Sequence, residues 1–184
     1  GILANNEWKE GFLDEGMASF TTNWYFQTHG QPDVWVRSFE AAAQWDRTGR
    51  SEPLVRHSAN FSDFQTYNAM TYTKPSVVYR MLQAYLGDER FGRALRLYYE
   101  RNKLRHVTLY EFQMAMEDGS GEDLEWFFDQ WFRMVATLDY SVRGATTEQR
   151  PDGRWVTRVE VERAGEAWMP VVLQVGDERV RLDS

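Results

Sequence analysis

The spacing of apolar residues changes once along this chain, near Thr137, and the change limits what it can fold into. Before that point apolar side chains recur at intervals of three and four, the period of helices that bury one face. After it they alternate, the period of strands with one covered side. The expected fold is therefore mainly α. A helical domain over residues 1–136 precedes a short antiparallel β segment over residues 137–184, the start of a β-sandwich-like domain. Hydrophobic residues make up 42% of the 184 and aromatics 15%, enough for a packed core. A net charge of −7 without a Lys/Arg stripe argues against a nucleic-acid partner. No apolar run approaches the roughly 18 residues of a membrane helix, so no transmembrane segment is expected. The absence of cysteine excludes disulfides and thiol chemistry.

Turn and cap residues divide the helical part. Residues 14–28 read as a helix with Met17, Phe20 and Trp24 on one stripe, ended by Gly30 in a left-handed conformation. A second helix over residues 33–46 follows Pro32, with Val34, Trp35, Phe39, Ala42, Ala43 and Trp45 as its apolar positions. Residues 47–73 read as one long polar connection carrying Gly49, Pro53, His57 and Asn60. Pro75 fits the first turn of a third helix, which Gly87 ends. Asp88 is placed to cap the next helix, and Thr108 with Glu111 forms a capping box for another. Ser120 is placed to cap a last helix that runs through Phe132. Beyond Leu138, the alternating runs are joined by turns at Pro151-Asp152-Gly153 and Gly176-Asp177.

The densest mixture of acidic and aromatic residues lies in residues 7–30. Glu7, Glu10 and Asp14 would share one solvated helix face, interrupted by Gly11 and Gly16, which each cost a helix about 1 kcal/mol against Ala. These three carboxylates fall short of the about six to eight oxygens that calcium takes. The histidines, His29, His57 and His106, are scattered, and none has the i, i+4 spacing of a zinc-binding His-Glu-x-x-His helix.

One run within this stretch goes further. Trp8-Lys9-Glu10-Gly11-Phe12-Leu13-Asp14-Glu15-Gly16-Met17-Ala18-Ser19-Phe20 resembles the third-ligand segment of the M1 family of zinc aminopeptidases. In that gluzincin family a Leu-(Asn/Asp)-Glu-Gly-(Phe/Met)-Ala run follows His-Glu-x-x-His. Tyr67-Asn68-Ala69-Met70-Thr71-Tyr72-Thr73-Lys74 resembles the family's Tyr-x-Lys-Gly segment, with Pro75 standing where the family usually has Gly. Residues 78–82, 86–91, 108–112, 120–124 and 127–132 resemble its later helices, and residues 168–175 its next β-domain. The resemblance runs over essentially the whole chain, with the matching segments in order.

The resemblance implies a thermolysin-like catalytic domain in which Glu15 is a zinc ligand. The second of its two partner histidines would lie about nineteen residues upstream, which places both just before Gly1. It implies that Tyr72 donates to the developing oxyanion, as a phenol protonated at neutral pH can, and that Lys74 nearby could lower the Tyr72 pKa a little. Asp14 could orient a ligand. The implied activity of the full-length protein is metal-assisted removal of N-terminal residues from a peptide substrate, with zinc as cofactor. The 184 residues alone, without two ligands and the general base, are expected to be inactive. Surface left bare at the front is expected to favour self-association. The competing expectation is a non-catalytic peptide-binding or interaction module, a pseudo-peptidase, and Pro75 is the residue that leans that way.

Overall fold

Helix boundaries in the first part of the chain follow its caps and its glycines. In the computed structural model, which describes residues 2–182, Asn6 caps the one-turn helix α1 (Glu7–Glu10) by accepting from the Trp8 N–H. A 3-10 turn (Gly11–Leu13) leads into α2 (Glu15–Thr28), which closes at His29 with Gly30 at φ +93°. Against it packs α3 (Val34–Arg47), with Trp35 and Ala42 buried and the two helices joined by Phe20 and Trp35, whose rings lie 5.8 Å apart. Phe39, expected on the inner face, is 40% exposed. The buried stripe of α3 is narrower than its apolar pattern.

The expected polar connection to Thr73 is shorter than its composition predicts. Asp63 caps a helix, α4 (Phe64–Asn68), by accepting from the Thr66 N–H at 2.8 Å. A π turn (Ala69–Thr73) carries α4 directly into α5 (Lys74–Leu86). The wide turn accommodates Pro75, which has no N–H to donate and whose ring would strike the carbonyl four residues back in an α-helix. The Lys74 N–H instead bonds the Ala69 carbonyl, five residues back, and the helix runs through.

Gly87, at φ +79°, ends α5 and precedes α6 (Asp88–Asn102), so Asp88 is the first helical residue rather than the cap. Thr108 and Glu111 form the expected capping box of α7 (Leu109–Ser120). Ser120 ends that helix rather than starting the next, because Gly121 turns the chain at φ +74°. The last helix is α8 (Glu125–Phe128), continued by a second π turn (Asp129–Arg133). A short parallel bridge joins β1 (Ala4–Asn5) to β2 (His106–Val107).

The core of this helical part is aromatic. The ring of Tyr79, on α5, lies 6.1 Å from Phe20, 5.4 Å from Phe112 and 5.8 Å from Phe132, and all four residues are fully buried. The Tyr79 hydroxyl donates to the Phe12 carbonyl at 3.1 Å. That bond satisfies a buried polar group and ties the 3-10 turn before α2 to the core.

The chain divides into two compact units between Val135 and Ala136. In the second, β3 (Tyr140–Gln149) and β4 (Trp155–Arg163) pair antiparallel across a turn that holds Gly153 at φ +83°, with a bulge between Val142 and Gly144. Then β5 (Val171–Val175) and β6 (Glu178–Leu182) pair across Gly176. Among the described residues these are separate two-stranded sheets. The fold is mainly helical with short antiparallel strand pairs, as the change of period predicts.

Candidate functional site

Glu15 opens α2 immediately after the 3-10 turn that Tyr79 anchors. Its carboxylate is half-buried, while Asp14 before it is exposed and makes no side-chain cap. The segment meets the π turn through its glycines. A Cβ built on Gly16 would stand 2.7 Å from both Cβ and Cγ of Pro75, and one on Gly11 would stand 3.1 Å from Thr71 Cγ2. From the sequence these glycines read as weak points of a helix. They are the places where α2 and its lead-in touch the π turn, and at Gly16 a side chain has no room.

That close approach brings Tyr72, on the π turn, to Glu15. There the Glu15 carboxylate acts on the phenol more strongly than any other group. The pull of Glu15 on the phenol proton is the largest reason that the Tyr72 pKa is pushed up to about 12, followed by burial and the charge of Glu15, with smaller parts from Tyr67 and Asp14. The lowering expected from Lys74 does not occur. The Lys74 ammonium is buried and donates to Asp46 Oδ1 at 2.6 Å. Pro75 does not keep Tyr72 from Glu15, because the wide turn absorbs it. A phenol with so high a pKa stays protonated through the neutral range and serves as a donor.

The other acids do not join Glu15. α1 stops at Glu10, so the expected face of Glu7, Glu10 and Asp14 is split by the 3-10 turn. Glu10 folds inward and accepts from the Leu109 N–H at 3.1 Å, at the start of α7, and burial raises its pKa. His57 stacks on Trp8 with ring centroids 6.2 Å apart, and His29 Nδ1 lies 2.8 Å from the Tyr25 carbonyl. Among the described residues no group of three His, Cys, Asp or Glu side chains is placed to hold a metal ion. A catalytic zinc takes three protein ligands and leaves one position open. Glu15, a partly exposed carboxylate at a helix start, fits as one of the three.

Beside the pair, Tyr67 lines a groove of about 500 Å³ whose walls include Trp8, Phe61 and Phe64. Trp8 is 67% exposed and Phe64 76%, so the groove offers aromatic faces to a ligand. Sequence reasoning passes over this groove because its walls come from α1, α4 and the loop between α3 and α4. It also passes over the partners of Lys74 and Glu10. The detectable signal is the pair of glycines, which in an otherwise helical pattern mark a close approach of backbone.

Known proteins resemble this chain in the same terms. Residues 1–131 match the peptidase family M1 domain. The alanine/arginine aminopeptidase of Saccharomyces cerevisiae is 28% identical over 151 residues, covering 78% of this chain and 18% of the yeast protein. Aminopeptidase N of Escherichia coli is 37% identical over 77 residues, covering 42% of this chain and 9% of that protein. A crystal structure of Legionella pneumophila aminopeptidase A in complex with aspartic acid shares the fold at a TM-score of 0.65 and 20% identity, covering 100% of this chain and 21% of that one. The chain thus spans a small part of the length of its relatives. With 131 of its 184 residues inside the family's domain, the chain belongs to peptidase family M1.

Proposed function

We propose that the full-length protein is a zinc-dependent aminopeptidase in which Glu15 is one metal ligand and Tyr72 the donor to the oxyanion. The observation that carries this reading is the packing of the turn that bears Tyr72 on the helix start that bears Glu15, whose carboxylate raises the Tyr72 pKa. What supports it is that two residues which the family's motifs assign to one reaction centre stand close enough to act on each other, in a chain whose relatives bear the name aminopeptidase.

A zinc ion held by Glu15 and by two histidines outside these residues would supply Lewis acidity at the scissile carbonyl. The Tyr72 hydroxyl has a single proton to donate. In the full-length protein that proton would be offered to the carbonyl oxygen, where negative charge develops. Its raised pKa keeps the proton on the phenol at neutral pH. The groove beside Tyr67, with Trp8, Phe61 and Phe64 on its walls, receives the peptide. The 184 residues are inactive by themselves, and residues 137–184 begin a β-sandwich-like domain. Pro75, which would favour a non-catalytic binding module, is accommodated by the π turn with Tyr72 still under the influence of Glu15, and this weighs for the catalytic reading.

The test is an assay of full-length protein on aminoacyl-anilides, with and without chelator, beside Glu15→Gln. Chelator-sensitive release, lost together with bound zinc in Glu15→Gln, supports the reading. No release by zinc-loaded wild type, or a coding sequence without His-Glu-x-x-His upstream of Gly1, overturns it.

A further inference from the structure

Lys74 is 6% exposed, and a buried ammonium is costly unless it is paired. Its Nζ donates to Asp46 Oδ1 at 2.6 Å, and the same oxygen accepts from the Ser51 hydroxyl at 2.5 Å. Asp46 stands in the last turn of α3. Lys74 is also the residue whose N–H closes the π turn onto the Ala69 carbonyl. One residue therefore closes the turn with its backbone and joins it to α3 with its side chain. A buried ion pair adds little stability over a well-packed apolar pair, and its better-attested use is to fix register between elements. The element whose register is fixed here carries Tyr72. The approach of Gly11 to the Thr71 side chain and of Gly16 to the Thr71 carbonyl holds the turn against α2 and its lead-in, and Gly16 meets the start of α5 at Pro75. The Lys74–Asp46 pair holds it against α3.

We propose that Lys74 is a positioning residue for Tyr72: through its ion pair with Asp46 it fastens the π turn to α3 and so keeps the phenol in its place beside Glu15. The inference rests on the role given to Tyr72 above. Lys74 itself touches no reacting atom. A polar turn stapled on two sides keeps its phenol within the small tolerance that a transition-state contact requires.

The test uses the full-length, zinc-loaded protein. Lys74→Met and Asp46→Asn are expected to lower kcat about 10- to 100-fold while KM stays within about twofold. Lys74→Arg, which keeps the charge, retains most of the activity. In a Tyr72→Phe background, Lys74→Met causes no further loss, because the group it positions is gone. A loss that persists in full on Tyr72→Phe overturns the proposal, as does wild-type kcat in both Lys74→Met and Asp46→Asn. Asp46→Asn keeps an oxygen acceptor and serves where Lys74→Met does not fold.

If wild type releases no N-terminal residue, the aminopeptidase reading fails and the positioning is decided separately. Carbon-13 spectra of labelled tyrosine at one fixed pH then follow Tyr72, identified by its missing resonance in Tyr72→Phe. A shift toward the exposed-tyrosine position in Lys74→Met and Asp46→Asn, absent in Lys74→Arg, supports the proposal. An unmoved resonance overturns it.

Discussion

A phenol beside a carboxylate keeps its proton to higher pH, and Tyr72 shows the effect, its pKa pushed up to about 12 by Glu15 and by burial. If its task is to stabilise an oxyanion, Tyr72→Phe in the full-length protein lowers kcat by about two to three powers of ten and leaves KM nearly unchanged. Zinc content should not change. Metal analysis beside steady-state kinetics checks this, since a parallel loss of zinc would mean that the phenol serves Glu15 and not the substrate. Glu10 offers a second test, with a sign that can be worked out. Burial, the largest cause, raises its pKa above 4.5, against a smaller lowering by the Leu109 N–H. The folded chain therefore holds this proton more tightly than the unfolded chain, and stability falls as pH rises from 4.5 through the higher folded value. Glu10→Gln keeps an acceptor for Leu109 and removes the titration. It is expected to flatten that fall, which urea midpoints from about pH 4 to pH 7 would register. An unchanged slope would mean that Glu10 is solvated, as its place beside Glu7 and Asp14 in the sequence predicts.

The meeting of α2 with the π turn has the opposite consequence from helix propensity. Gly16→Ala should gain about 1 kcal/mol from propensity, yet its Cβ would press on Pro75 at 2.7 Å. Overpacking of this kind costs about 1–3 kcal/mol, so Gly16→Ala is expected to be neutral at best and destabilising in most of that range. Gly92, inside α6, has no atom within 4 Å of its built Cβ, and Gly92→Ala should stabilise by about 0.5–1 kcal/mol. Chemical denaturation of both variants gives the comparison, and stabilisation of equal size at the two sites would deny the close contact. The same contrast separates what could be read along the chain from what could not. The capping box of Thr108 and Glu111, the left-handed Gly30 and the hairpin turn at Gly153 are local devices, visible in a few adjacent residues. Glu15 and Tyr72 could be named from motifs. The start of α4 at Asp63 was also local, but it is hidden in a run of polar residues. The π turn was not local. Pro75 and the packing on Gly16 shape it together, and Gly16 lies far away in sequence. The inward turn of Glu10 needs Leu109 in the same way.

The two units of the chain are held by different means, and the difference bears on what the chain can do alone. The helical unit has Phe20, Tyr79, Phe112 and Phe132 fully buried in an aromatic core. The second is built of two-stranded sheets, which are marginal by themselves in water. Amide exchange is therefore expected to be slowest in α5 and much faster along β3–β6, and equal protection would show that the strand pairs gain support from a larger structure. The last expectation concerns catalysis by these 184 residues. A working zinc site takes three protein ligands, and among the described residues no group of three donors is assembled around Glu15 or elsewhere. One carboxylate at a helix start does not fix a zinc ion in place. Added zinc should then leave the isolated chain without turnover of aminoacyl-anilides, while its helical circular dichroism stays intact. The assay needs pure material, because a trace of a host aminopeptidase would mimic success. Turnover by the pure chain that disappears with chelator and with Glu15→Gln would show that these residues complete the zinc site themselves, against the assignment of its remaining ligands to another part of the protein.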